Sequence, residues 1–115
     1  MDWITDMLAV GNCESPHPAG VAVLDLRQIP DHCSIPSATF DAVMATIASG
    51  MQTHGKVMLH CLGGISRSCI FAAVWLAKQG SGLDAALSLV QSKRPVMWIH
   101  PDQMASAKRY LESAC

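Results

Sequence analysis

Cys61 and Arg67 stand six chain steps apart in the run Val57-Met58-Leu59-His60-Cys61-Leu62-Gly63-Gly64-Ile65-Ser66-Arg67-Ser68, and that pairing suits chemistry on phosphate. The stretch Leu62 to Ser66 between them is long enough to curl into a semicircle whose backbone N–H groups converge on one centre. Gly63 and Gly64 permit the close backbone approach that such a ring needs. Arg67 offers a planar fork of donors that can hold two oxygens of a phosphoryl group, which a lysine could not match. Cys61, at the bottom of the ring, would feel the amides, Arg67 and the end of a following helix, all of which favour thiolate over thiol. A thiolate beneath a bound phosphoryl group is a nucleophile. His60 can fix the loop by hydrogen bonding, and Ser68 can donate to the sulfur and stabilise it as a leaving group.

These residues resemble the signature of the protein tyrosine phosphatase superfamily: His-Cys, five residues, Arg, then Ser or Thr. The run Gly64-Ile65-Ser66-Arg67-Ser68 is most similar to the dual-specificity branch. The resemblance implies a cysteine-dependent phosphomonoester hydrolase that works through a cysteinyl-phosphate intermediate. Cys61 would be its nucleophile, and Leu62, Gly63, Gly64, Ile65, Ser66 and Arg67 would bind the phosphoryl group. Downstream, Leu83-Asp84-Ala85-Ala86 and Lys93-Arg94-Pro95 are similar to the family's next helix and its Arg-Pro turn. His100-Pro101-Asp102-Gln103 takes the place of a loop that can position the hydrolytic water, which makes Gln103 a supporting residue. The resemblance also implies a shallow pocket open to phosphoserine and phosphothreonine as well as phosphotyrosine, because the N-terminal segment that deepens the pocket of strictly tyrosine-specific relatives has no counterpart here.

The elements that must position these residues are legible from patterning. Trp3-Ile4-Thr5 and Met7 to Val10 read as short strands that end at the turn pair Gly11-Asn12, followed by a surface loop to Gly20. Val21-Ala22-Val23-Leu24-Asp25-Leu26 is apolar except for Asp25, as in a strand buried on both faces of a largely parallel sheet. Lys56 to His60 is a second such strand. Between them Pro36-Ser37 opens a helix with Ser37 as its N-cap; Phe40, Val43, Met44 and Ile47 recur at helical spacing, and Gly50 ends it. A helix from Cys69 to Gln79, apolar nearly all round, belongs in the middle of the domain, and Gly80 closes it. A further helix runs from Leu83 to Lys93, stopped by Pro95. A last one starts near Pro101 and carries Met104, Ala107 and Leu111. The pattern predicts an α/β fold: residues 1–115 as one open sandwich with a mostly parallel central sheet flanked by helices and a phosphatase-like layout. The signature loop then lies at the C-terminal end of a strand, where such sheets bind ligands.

At 115 residues, half of them apolar, the chain suffices for one cored domain. Eight Lys plus Arg against nine Asp plus Glu argue against a nucleic-acid partner or an anionic membrane surface. No apolar run approaches the roughly 20 residues that span a bilayer. The five cysteines are odd in number and lack paired metal spacing, and no signal pattern opens the chain, so a cytoplasmic location is expected. The scattered histidines give no ligand spacing. No metal and no organic cofactor are expected, and the domain is read as a monomer acting on a phosphorylated protein or peptide.

Expelling an alkoxide or phenolate calls for a proton donor on a separate loop. Asp25, Asp31 and Asp41 lie upstream of the cradle. Asp25 falls inside or at the end of a strand, and Asp41 in the first turns of a helix, where the dipole alone favours a carboxylate. Asp31, in Ile29-Pro30-Asp31-His32, carries no such structural demand and is the choice for general acid and then base. The resemblance supports it, since the family carries its acid on a loop at about this distance before the cysteine, often directly after proline. Met97 and Trp98 could line the site's rim, but as large apolar residues they read more naturally as core. Cys33 and Cys69 could capture an oxidised Cys61 as a disulfide, with small buried hydrophobes as the plainer reading. Two other classes stay open: a catalytically weak phosphate-binding module that recognises phosphorylated proteins, and a sulfurtransferase.

Overall fold

The computed structural model describes residues 1–30, 33–63 and 65–113. Four strands, β1 (Asp2–Trp3), β2 (Leu8–Asn12), β3 (Ala22–Asp25) and β4 (Val57–Cys61), form a sheet in the order β1-β2-β4-β3. β1 pairs antiparallel with β2, whereas β2 and β3 flank β4 in parallel, as the continuous apolar runs predict. The register sets Asn12 opposite Cys61 and Asp25 opposite His60, so three parallel strands deliver their C-terminal ends to one place.

Among the described residues there are four α-helices, α1 (Ser37–His54) between β3 and β4, and α2 (Arg67–Leu76), α3 (Leu83–Lys93) and α4 (Pro101–Ser113) after β4. Leu8, Val10, Val57 and Leu59 face them in one core with Phe40, Ile47, Phe71 and Val74. Ala9 and Met58, one residue out of phase, are buried on the opposite face. The Phe40 ring stacks on Tyr110 at 4.8 Å and meets Phe71 at 5.2 Å, locking α1, α4 and α2 together. α2 is the central helix, buried at every position from Arg67 to Val74. Among the described residues, no helix is long and apolar enough to cross a membrane.

Several expected boundaries are corrected. β3 is half-buried throughout instead of buried on both faces, because it lies at the sheet's edge and has a strand neighbour on one side only. Ser37 is the first residue of α1, with Pro36 in the capping position and no side-chain cap. Gly50 does not end α1; it lies inside it and lets the helix approach the sheet, since a Cβ there would stand 2.9 Å from a Val57 methyl and 3.0 Å from the Ala22 Cβ. The helix ends at Gly55, in the left-handed region at φ 77°. α2 begins earlier than predicted, at Arg67, and ends at Leu76, after which the chain makes one π turn, Ala77–Ser81.

Candidate active site

β4 ends in Cys61 and α2 begins at Arg67, so the five-residue connection lies across the N-terminal end of a helix that is packed into the core. Cys61 is buried, and its Sγ lies 3.3 Å from the Oγ of Ser68. Arg67 is also buried; its Nη1 donates to the carbonyl oxygens of Ile29 at 2.8 Å and Arg27 at 3.0 Å. The guanidinium thereby ties the segment after β3 to the start of α2.

The loop itself is held from outside through its carbonyls. Leu62 O accepts from the Cys13 N–H at 3.5 Å, Gly63 O from Arg94 Nη2 at 3.4 Å, and Ile65 O from the Trp98 N–H at 3.1 Å. In a trans peptide the C=O and the following N–H point in opposite directions. Outward carbonyls at Leu62 and Ile65 therefore turn the N–H groups of Gly63 and Ser66 to the loop's inner side, the donor arrangement of an anion nest. Arg94 is buried and is itself fixed by Asp2, with Nη1 to Oδ2 at 2.9 Å. Ser66 Oγ donates to Gln103 Oε1 and accepts from the His100 N–H at 3.4 Å.

Under the loop, His60 is buried with Nδ1 4.0 Å from Asp25 Oδ1 and its ring 5.4 Å from that of His17. Burial pushes its pKa below the ordinary value against the pull of the Asp25 charge, which favours a neutral imidazole. Asp25 is engaged by Arg27, whose Nη2 lies 2.7 Å from Oδ2. The Arg27 hydrogen bonds hold the Asp25 carboxyl down at about 2. With a folded pKa below the ordinary value of 3.8, the pair's contribution to stability is complete above that value and is lost as pH falls toward about 2. Asp25→Asn is therefore expected to lower the melting temperature slightly near neutral pH, and the difference from wild type should vanish in acid, which melts recorded along a pH series would check.

Of the residues predicted for the site, the structure brings together Cys61, Leu62, Gly63, Ile65, Ser66, Arg67 and Ser68 in one loop and helix start, with His60 below and Gln103 against Ser66. Asp31 and Gly64 lie outside the described residues. Gln103 is completely buried, and its contact with Ser66 makes it a brace between α4 and the loop. Trp98 is corrected from core to surface: it is exposed beside the loop, while Met97 packs partly against the core. Cys69 is buried and its thiol is pushed up to about 12 by burial, whereas Cys33 is exposed, not a buried hydrophobe. Sequence reasoning named Arg94 only as part of the Arg-Pro turn and did not single out Asp2; a pair separated by 92 positions leaves no local signal of their contact.

The family described as the dual specificity phosphatase catalytic domain matches residues 8–112. Among curated proteins, the chain is 35% identical over 99 residues to MAP kinase phosphatase with leucine-rich repeats protein 3 of Dictyostelium discoideum, covering 83% of this chain and 11% of that protein. It is 31% identical over 75 residues to Dual specificity protein phosphatase 1B of Arabidopsis thaliana, covering 64% of this chain and 45% of that protein. The chain thus spans less than half the length of these relatives. Among solved structures it is similar to human DUSP28 (TM-score 0.82, 18% identity, 99% of this chain and 97% of that one). It is equally similar to the human tyrosine phosphatase-like serine/threonine/tyrosine-interacting protein (TM-score 0.84, 18% identity, 99% and 97%). At such identities the structural likeness shows the fold.

Proposed function

The chain belongs to the dual specificity phosphatase family, and from that membership we propose that residues 1–115 form one catalytic domain that hydrolyses phosphomonoesters by cysteine chemistry without a metal. Its substrates are proteins or peptides carrying phosphotyrosine and also phosphoserine or phosphothreonine. The observation that carries this reading is the buried Cys61 sulfur, 3.3 Å from Ser68 Oγ at the start of α2, next to a loop whose Leu62, Gly63 and Ile65 carbonyls are turned outward.

In the first step the Cys61 thiolate attacks phosphorus, the bond from phosphorus to the leaving oxygen breaks, and that oxygen takes a proton from Asp31. The inward N–H groups of the loop and Arg67 hold the equatorial oxygens, where charge accumulates in the transition state. A guanidinium has five N–H donors, so the group that anchors the carbonyls of Arg27 and Ile29 can also face phosphate. In the second step water attacks the cysteinyl phosphate, gives its proton to the Asp31 carboxylate, and the sulfur leaves as thiolate with the Ser68 hydroxyl donating to it. His60 and Gln103 act as positioning residues below and behind the loop.

The other carboxylates support Asp31 as the acid. Asp25, held near 2 by Arg27, has no proton to give at neutral pH. Asp41 accepts from the Tyr110 hydroxyl at 2.7 Å, where α1 meets α4. Arg67 binds the Ile29 carbonyl, two positions before Asp31 in the chain. Asp31→Asn is expected to slow turnover by about 10²-fold on alkyl phosphates and other poor leaving groups. On p-nitrophenyl phosphate, whose leaving group needs little protonation, the loss should be far smaller. Rates across a series of leaving-group pKa values check this, and a uniform loss would assign Asp31 a folding role.

The reading as a whole is tested by p-nitrophenyl phosphate hydrolysis in the presence of EDTA. Activity that survives chelation supports it. A folded, reduced protein that binds phosphopeptides without turning them over would instead be a binding module, and cyanide-dependent loss of sulfur from thiosulfate would mark a sulfurtransferase.

A further inference from the structure

Tryptophan is the side chain with most to gain from burial, yet Trp98 is 58% exposed, and it is not alone. Leu62 is 66%, Val96 59% and Ile65 41% exposed. The other large exposed apolar side chains among the described residues, Met1, Trp3 and Met7, all belong to the first seven positions. The four that remain lie on or against the signature loop. Leu62 and Ile65 are loop residues. Trp98 is fixed to Ile65 by the hydrogen bond from its backbone N–H at 3.1 Å, and Val96 sits in the turn that Arg94 anchors to Gly63. The indole is further held by His100, whose ring meets it edge-on at 6.1 Å and 84°, and whose backbone N–H reaches Ser66 Oγ.

Charge is as telling as apolarity. Neither Leu62 to Ser66 nor Pro95 to Ile99 contains a lysine or an arginine. The neighbouring cations are committed elsewhere: Arg27 to Asp25, and Arg94 to Asp2 and Gly63. A phosphoryl group in the loop would therefore be attached to a leaving group that meets an aromatic and aliphatic rim built, among the described residues, without a lysine or an arginine.

Resting on the phosphatase reading of the loop, we infer that Trp98, with Leu62, Ile65 and Val96, forms an aryl-binding rim that makes phosphotyrosine in an apolar sequence context the preferred substrate over phosphoserine and phosphothreonine. Trp98 is a specificity-determining residue: the phosphate is bound by the loop, and the ring that carries it is covered by the indole. An alkyl phosphate offers no ring and gains nothing from this surface. The rim also gives acidic flanking residues no advantage, since the described residues around it pair Arg27 with Asp25 and Arg94 with Asp2.

The test uses Cys61→Ser protein, which should bind without turnover, titrated calorimetrically with phenyl phosphate, methyl phosphate and inorganic phosphate. Phenyl phosphate is expected to bind about tenfold more tightly than methyl phosphate. Adding Trp98→Ala should erase that preference while leaving the affinity for inorganic phosphate unchanged, and Trp98→Phe should restore most of it. Because the side chain is exposed, these variants should fold, which a melting curve verifies. A phenyl preference that survives Trp98→Ala, or that is absent from the parent protein, overturns the aryl rim while the loop's phosphate binding stands. Failure of all three anions to bind overturns the phosphate-loop reading and the rim with it.

Discussion

Cys61→Ser is expected to lower turnover of p-nitrophenyl phosphate by at least about 10⁴-fold, the scale on which loss of a nucleophile is felt in enzymes whose groups act as a unit. A serine hydroxyl stays protonated at neutral pH and is a far weaker nucleophile than a thiolate. The donors that bind the anion are untouched: the loop amides are aimed by contacts from Cys13, Arg94 and Trp98 to its carbonyls, none of which involves the sulfur. Vanadate and phosphate affinity should therefore persist. The fold should tolerate the change as well, since the new hydroxyl lies next to Ser68 Oγ, which can pair with it. Steady-state rates, vanadate titration and a melting curve on the same preparation separate these effects. Activity within tenfold of wild type, about a thousandth of the expected effect, would mean that the nucleophile is elsewhere.

Arg67→Lys should reduce kcat/KM by about 10³-fold even though the charge is kept. Lysine is a compact point charge and cannot span two phosphate oxygens in one plane. It also loses the double contact from Nη1 to the carbonyls of Arg27 and Ile29, which tethers the segment that leads to Asp31. Leaving such acceptors without a donor costs about 1–3 kcal/mol of stability, so a lower melting temperature should accompany the loss of rate. The signature that distinguishes Arg67 from Asp31 lies in the substrate: the lysine variant fails on p-nitrophenyl phosphate as well as on poor leaving groups, because oxyanion binding does not depend on the leaving oxygen. Wild-type kcat/KM in the lysine variant would remove Arg67 from the binding loop.

The parts of this site that the sequence declares are local. Cys61, the loop and Arg67 share one strand-loop-helix unit, and their residue types and spacing are unusual enough to read directly. β4, α3 and α4 were equally legible, because a continuous apolar run marks the strand and apolar periodicity with Pro95 and Pro101 marks the helices; β2 reads as ending at Val10, yet it runs on through the expected turn pair Gly11-Asn12, paired there with His60 and Cys61. What escaped was set by tertiary contacts. Val21 to Leu26 has the composition of a central strand, and only the sheet order reveals that β3 is an edge. Gly50 looks like a stop signal until the nearness of Val57 and Ala22 shows that it is a packing gap. The buried stripe of α4 includes Gln103 and Ser106, polar residues that hydrophobic patterning passes over; they are inside because Ser66 and the Ile35 N–H need partners there. Trp98 fails in the opposite sense, an apolar residue held at the surface by its backbone bond to Ile65.

The most direct test of cysteine catalysis is rapid quenching of wild-type and Asp31→Asn protein during turnover of p-nitrophenyl phosphate, followed by peptide mass spectrometry. The account predicts a phosphorylated peptide whose modification maps to the sulfur of Cys61, accumulating most in Asp31→Asn protein, where hydrolysis of the intermediate loses its base. Turnover with phosphate recovered on another side chain, or with no phosphorylated protein in either form, would contradict it.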